Sequence, residues 1–199
     1  MRAGGTSAIK LASRFFMRDD PVHESLRSIT KKLADLQIPY AVVGGMALVA
    51  HGYDRTTADV DVLVSKEGLD AIHSSPDGFG YVPPSPGSRS LRDTNTGVRI
   101  EFVVSGAYPG DGKPKPIAFP PPDQVATDID GINYVDLQTL IELKLASGMT
   151  HAGRLRDLAD VQELIRALQL PAEYAGRLNP YVQDKFRELW AGVHGEPDA

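Results

Sequence analysis

The chain of 199 residues contains no cysteine. This excludes disulfides, thiolate metal sites and a cysteine nucleophile. It also suits a reducing compartment, so a cytoplasmic location is expected. No run of about twenty apolar residues occurs, so neither a transmembrane helix nor a membrane partner is expected. The segment Met1 to Met17 carries basic residues but no apolar stretch of the kind a secretion signal needs. Positive charge is in deficit: 21 Lys and Arg against 26 Asp and Glu, a net charge of −5. That argues against broad nonspecific DNA binding, while leaving room for a local basic patch that grips an RNA end. His23, His51, His73, His151 and His194 are scattered without zinc-ligand spacing. No Walker loop, dinucleotide fingerprint or Ser-His-Asp order stands out.

Against these absences, 42% hydrophobic and 24% charged residues describe an ordinary globular chain, long enough for one sizeable core. Apolar spacing predicts a helix over Val22 to Leu36, with Leu26, Ile29, Leu33 and Leu36 on its buried stripe. A strand over Ile38 to Val43 and a short helix over Met46 to His51, stopped by Gly52, follow. Ala58 to Val64 reads as a strand and Leu69 to Ser74 as a helix. Residues 80–97 read as a loop or irregular hairpin, and Val98 to Val104 as a strand. The Pro- and Gly-rich stretch 107–124 reads as a long loop, with a short embedded strand around Ile117 to Phe119. Asp136 reads as the cap of a helix from Leu137 to Ser147 that Gly148 would end. Helices over Leu155 to Leu168 and Tyr181 to Val193 complete the pattern, with a further one between Pro171 and Pro180. The expected fold class is α+β: a mixed sheet packed with helices (core about 22–135) and a helical C-terminal part (about 136–199), all in one domain. Lys10, Arg14 and Arg18 recur at fourfold spacing, which lines one face if that segment is helical; a solvated terminus is the plainer reading.

Two features carry chemistry. Val42-Val43-Gly44-Gly45-Met46-Ala47-Leu48 places a Gly-Gly turn ahead of a helix-sized span, where backbone N–H groups suit phosphate. Asp59-Val60-Asp61-Val62-Leu63-Val64 places two carboxylates on one face of a strand and Val60, Val62 and Val64 on the other. Aspartate is disfavoured in strands, and two on one face repel unless a cation sits between them. Oxygen ligands from few side chains, shared with substrate phosphates, suit Mg²⁺.

Thirteen residues separate Gly45 from Asp59. A hydrophobic residue, Gly-Gly and then an acid–hydrophobic–acid pair at this spacing resembles the signature of the nucleotidyltransferase superfamily, the polymerase-beta-like fold. The stretch His51-Gly52-Tyr53-Asp54-Arg55-Thr56-Thr57 is similar to a bacterial subgroup of abortive-infection and toxin–antitoxin nucleotidyltransferases. The strong part of the resemblance covers residues 38–64; weaker similarity continues through Lys144 and the Arg154 to Asp160 segment. It implies an enzyme that moves a nucleoside monophosphate from an NTP to an acceptor hydroxyl and releases pyrophosphate. It implies that Asp59 and Asp61 hold one or two Mg²⁺ ions. Glu101, beside Arg99 on the polar face of its strand, is the candidate third acid, for metal ligation or hydroxyl deprotonation; the plainer alternative is an ion pair with Arg99. Asp93 is the poorer candidate. Gly44 and Gly45 would seat phosphates, with Arg55, Thr57 and Lys144 as further nucleotide-binding candidates. For Arg55 the alternative is a structural ion pair, for Thr57 a cap, for Lys144 a snorkelling chain. His51 reads as structural, and Arg154, Arg156, Asp157 and Asp160 as a solvated face, with Asp157 a partner for Lys144. The resemblance offers a tRNA 3′ end as acceptor and a cognate antitoxin as partner; a protein hydroxyl or an antibiotic are the other acceptors. Readings outside this class are a nucleotide- or partner-binding module without catalysis, and a non-catalytic nucleic-acid binder.

Overall fold

The computed structural model describes residues 15, 18–74, 80–85 and 88–195. Lys10 and Arg14, and with them the expected solvated terminus before residue 15, lie outside these.

Helix α1 (Pro21–Asp35) starts where the sequence dictates. The Asp20 carboxylate accepts from the backbone N–H groups of Val22 and His23, and Pro21 occupies the first turn, where its missing N–H costs nothing. Leu26, Ile29 and Leu33 are buried, but the helix ends at Asp35 and Leu36 turns outward, 41% exposed. Strand β1 (Tyr40–Val43) follows, then α2 (Gly44–Ala50), β2 (Asp59–Val64) and α3 (Lys66–Ser74). Beyond them come β3 (Tyr81–Val82), β4 (Ser90–Asp93) and β5 (Arg99–Val104), with β3 and β4 paired antiparallel as a short hairpin. A single turn, α4 (Pro122–Val125), precedes β6 (Ala126–Ile129) and β7 (Ile132–Val135).

These strands form one mixed sheet in the order β3-β4-β5-β2-β1-β7-β6. At its centre β2 runs antiparallel to β1 and parallel to β5. Val60, Val62, Val64, Ile100 and Phe102 are fully buried on the packed side. The β6–β7 hairpin has no counterpart in the sequence reading. Its turn residues Asp130 and Gly131 sit at φ 55° and 80°, the two left-handed positions of a type I′ hairpin. No strand forms at Ile117 to Phe119; that stretch is held by isolated backbone bonds, Gly106 N–H to Phe119 O and Phe119 N–H to Ala107 O.

Helix α5 (Leu137–Thr150) is capped by Asp136, which accepts from Thr139 N–H. It runs through Gly148 rather than stopping there. Leu158 of α6 (Leu155–Leu168) packs on that glycine, where an added Cβ would stand 2.5 Å from its Cγ, so Gly148 serves close helix approach. Between Pro171 and Pro180 lies only a 3₁₀ segment (Ala172–Arg177), followed by α7 (Pro180–His194). One hydrophobic cluster runs from Phe15 through both the sheet and the C-terminal helices to Leu189. No described helix is long and apolar enough to cross a membrane.

The Pro- and Gly-rich loop docks on α5. Gly110 has φ +75°, and an added Cβ would stand 2.8 Å from the Ser147 carbonyl oxygen and 3.0 Å from its Cα. Backbone cannot step aside as a side-chain tip can. Gly110→Ala is expected to destabilise the fold by about 1–3 kcal/mol, read as a lower urea midpoint with unchanged slope. An unchanged midpoint would mean that the loop is not held against α5.

Candidate active site

Register places the motif. Val43 pairs with Asp61, so the chain leaves β1 beside that carboxylate and turns at Gly44, φ +64°. An added Cβ on Gly44 would run into the Asp61 carboxylate. On Gly45 it would meet Thr57 Oγ1 at 2.7 Å and Thr57 Cβ at 2.8 Å. The glycine pair is therefore required by the packing of Asp61 and Thr57 as well as by any ligand.

Asp59 and Asp61 share the open face of β2, and Asp61 is the register partner of Glu101 on parallel β5. Asp59 and Asp61 on β2 and Glu101 on β5 thus share one face of the sheet at neighbouring register positions. Their present partners differ. Thr57 Oγ1 donates to Asp59 Oδ1 at 2.8 Å, so Thr57 orients an acid rather than capping a helix. Arg99 Nη2 pairs with Glu101 Oε2 at 2.9 Å, the plainer alternative for Glu101. Among the described residues, no three His, Cys, Asp or Glu side chains converge into a ready-made metal cage. Burial, then the charges of Asp59 and Glu101, push the Asp61 carboxyl up to about 7, against the lowering pull of Lys144 and Arg99. A carboxyl in that position is short of positive charge.

Positive charge stands nearby but is already engaged. Lys144 Nζ donates to Asp157 Oδ1 at 2.8 Å and to Asp160 Oδ2 at 2.7 Å. Arg55 Nη1 donates to both oxygens of Asp160, at 2.8 and 2.9 Å. Ser147 Oγ donates to Asp157 Oδ2 at 2.7 Å. Burial acts to raise the Asp157 carboxyl, yet Lys144, Ser147 and Arg154 outweigh it and hold it below the ordinary range. Two expectations change here. The anion that compensates Lys144 is a pair of protein carboxylates, so this lysine does not snorkel. Asp160 is no solvated residue: it is 3% exposed and is the shared partner of Arg55 and Lys144. The signal was in the sequence, since Asp157 and Asp160 fall on the same helical spacing as Val161, Leu164 and Ile165. Arg154 and Arg156 are exposed as expected.

These groups line a groove of about 850 Å³ that takes in Gly44, Gly45, Arg55, Asp59, Asp61 and Lys144. The sequence candidates are therefore brought to one place, Glu101 opening on an adjoining groove with Asp61. His51 lies apart, its Nε2 bonded to the Val135 carbonyl at 2.7 Å, a structural role. Asp93 is also structural: buried, it accepts from Ser25 Oγ at 2.9 Å and from the backbone of Asn95.

Thr57→Val keeps the side-chain shape but removes the donor to Asp59. It is expected to lower stability by about 1.5 kcal/mol, the contribution of a hydrogen bond to a charged group, read as a lower urea midpoint. An unchanged midpoint would show that Asp59 needs no orienting partner.

No protein-family model and no curated protein matches the chain. Among solved structures it is similar to a protein of H. pylori described as a nucleotidyltransferase, at 21% identity over 86% of this chain and 79% of that one, TM-score 0.47. It is similar to JHP933 of Helicobacter pylori at 18% identity over 86% of this chain and 90% of that one, TM-score 0.41. It is also similar to ANT(2")-Ia, solved with adenylyl-2"-tobramycin, at 10% identity over 84% of this chain and 98% of that one, TM-score 0.48. The identities are low, and the likenesses concern fold.

Proposed function

We propose that this chain is a Mg²⁺-dependent nucleotidyltransferase that moves a nucleoside monophosphate from an NTP to an acceptor hydroxyl. The observation that carries this reading is the placement of Asp59, Asp61 and Glu101 on register-paired positions of β2 and β5, directly against the Gly44–Gly45 turn. Burial first, and then the charges of Asp59 and Glu101, raise the Asp61 carboxyl, which a cation beside it would relieve.

The donor set fits the metal. Carboxylate oxygens without a closed cage suit Mg²⁺, which keeps positions open for water and phosphate. Asp59 and Asp61, with Glu101, would hold it, and once bound it would neutralise phosphate charge and lower the pKa of an attacking hydroxyl. The chain's own residues do the rest. Gly44 and Gly45 line the groove at the start of α2, where their backbone would meet phosphate oxygens. Lys144 has three N–H donors, of which Asp157 and Asp160 take two. The third is available to a phosphate oxygen in the groove it lines. Arg55 stands on the same groove with only part of its guanidinium committed to Asp160. Glu101 stands beside Asp61 to accept the proton of the acceptor hydroxyl. Such a reaction needs mainly positioning and charge neutralisation, so no elaborate acid–base pair is called for. The exposed Arg154 and Arg156 at the groove favour an RNA end as acceptor.

The test incubates purified protein with each labelled NTP, Mg²⁺ and total cellular RNA, beside an Asp59→Ala/Asp61→Ala control. The reading expects RNA label that disappears in the control. Label that persists in the control, or no Mg²⁺-dependent NTP binding, would sink it.

A further inference from the structure

A second groove, of about 470 Å³, shares Gly44, Asp59, Asp61 and Lys144 with the first but extends along Glu101 instead. Its outer wall is the Pro- and Gly-rich loop, through Tyr108, Pro109, Gly110 and Phe119. Loops of this composition are usually mobile, yet this one is fastened at three places. Its neck is closed by the two backbone bonds between Gly106, Ala107 and Phe119, each 2.8 Å. Gly110 abuts the Ser147 backbone. Lys115 is turned inward, its side chain 5% exposed, and its Nζ donates to Pro109 O at 2.5 Å, Asp111 Oδ1 at 2.6 Å and Thr150 Oγ1 at 3.2 Å. An inward lysine with three protein acceptors uses every donor it has. It therefore binds nothing else and serves to fix the loop to α5.

What the fastening presents is the half-buried ring of Tyr108, in a groove that also reaches Glu101 and Asp61, while Phe119 beside it packs against the core. Arg89 and Arg154 line the same groove. Rings that offer a face bind any base by stacking, and arginines at a rim hold the neighbouring phosphate. The volume suits one nucleoside, and the groove opens to the surface so that a chain can trail away.

We propose that the fastened loop is the acceptor-reading wall. Tyr108 stacks on the terminal nucleoside of a single-stranded RNA, and Lys115 positions Tyr108 by holding the loop. This rests on the nucleotidyltransferase reading above. The terminal ribose hydroxyl then faces Glu101 and Asp61. Its oxygen bonds to the α-phosphorus of the NTP, the bond from that phosphorus to the bridging oxygen breaks, pyrophosphate leaves with that electron pair, and the hydroxyl proton passes to Glu101.

The test uses the full chain with Mg²⁺, the NTP it binds, and a set of short single-stranded RNA oligonucleotides with each of the four 3′ nucleosides. Extension kinetics are measured for wild type, Tyr108→Ala, Tyr108→Phe and Lys115→Met, and NTP affinity separately by calorimetry. Tyr108→Ala is expected to raise the KM for the oligonucleotide about tenfold or more, with NTP affinity unchanged. Tyr108→Phe keeps the ring and restores the wild-type value. Lys115→Met raises KM more than it lowers kcat. An unchanged KM in Tyr108→Ala overturns the proposal. So does a wild type that binds NTP yet extends none of the oligonucleotides, which would direct the search to small-molecule or protein acceptors. Absent NTP binding would instead overturn the nucleotidyltransferase reading itself, and the wall with it.

Discussion

Asparagine in place of Asp61 is expected to abolish transfer, by about a hundred- to a thousandfold, while making the metal-free protein more stable at neutral pH. The two effects share one cause. In the folded chain the Asp61 carboxyl is pushed up to about 7 by burial and by Asp59 and Glu101, against 3.8 when unperturbed. The folded state therefore holds a proton that the unfolded state has released, throughout that interval. Stability must fall as pH rises from about 4 to 7, because the unfolded chain binds fewer protons there. The span from 3.8 to about 7 corresponds to roughly 4 kcal/mol, a ceiling on what the neutral amide recovers. Urea unfolding without Mg²⁺, at pH 5 and pH 7.5, reads this directly. The gain of the variant over wild type should be small at the lower pH and larger at the higher. An equal difference at both would mean that the Asp61 carboxyl is not raised, and a cation beside it would meet no electrostatic need.

The second large effect has the opposite sign. Asp160→Ala removes the acceptor shared by Arg55 and Lys144, whose side chains are only 13% and 10% exposed. Asp157 remains to Lys144, but Arg55 loses its only carboxylate partner among the described residues. Breaking a buried ion pair by deleting one member typically costs about 3–5 kcal/mol, because the remaining charge is stranded. Chemical unfolding should show that loss. The double variant with Arg55→Met should recover part of it, since it removes the stranded charge and the two changes touch one network and cannot add. A loss below about 1 kcal/mol would identify the cluster as a weak, solvated one.

The asymmetry between these acids also explains what the sequence disclosed. Local pattern revealed what local physics builds. The alternation in β2 and β5 put Asp59, Asp61 and Glu101 on one face and the valines, Ile100 and Phe102 on the other. The Asp136 cap and the apolar stripe fixed the start of α5 and the whole of α6. What escaped depended on partners far along the chain. Arg55 meets Asp160 across 105 residues, and no spacing rule joins them. Gly148 reads as a helix stop until Leu158 is seen packed on it. The β6–β7 hairpin carries a signal of its own, Asp130-Gly131 between Ile129 and Ile132, but its strands are only four residues each, too short for alternation to announce them. Thr57 reads from the sequence as a nucleotide contact or a cap, and the bond from its hydroxyl to Asp59 has no local signature. The fastening of the Pro-rich loop by Lys115 has no sequence signature, since a lysine in such a stretch is ordinarily solvated.

The central claim is that Asp59 and Asp61, beside the Gly44–Gly45 turn, form a seat for a metal-bound nucleoside triphosphate. Calorimetric titration of the purified chain with each NTP, with and without Mg²⁺, and of Asp61→Asn in parallel, tests it most directly. The account predicts binding of at least one NTP that requires Mg²⁺ and is lost in the variant. Binding that is indifferent to both Mg²⁺ and Asp61, or none with any NTP, would contradict it.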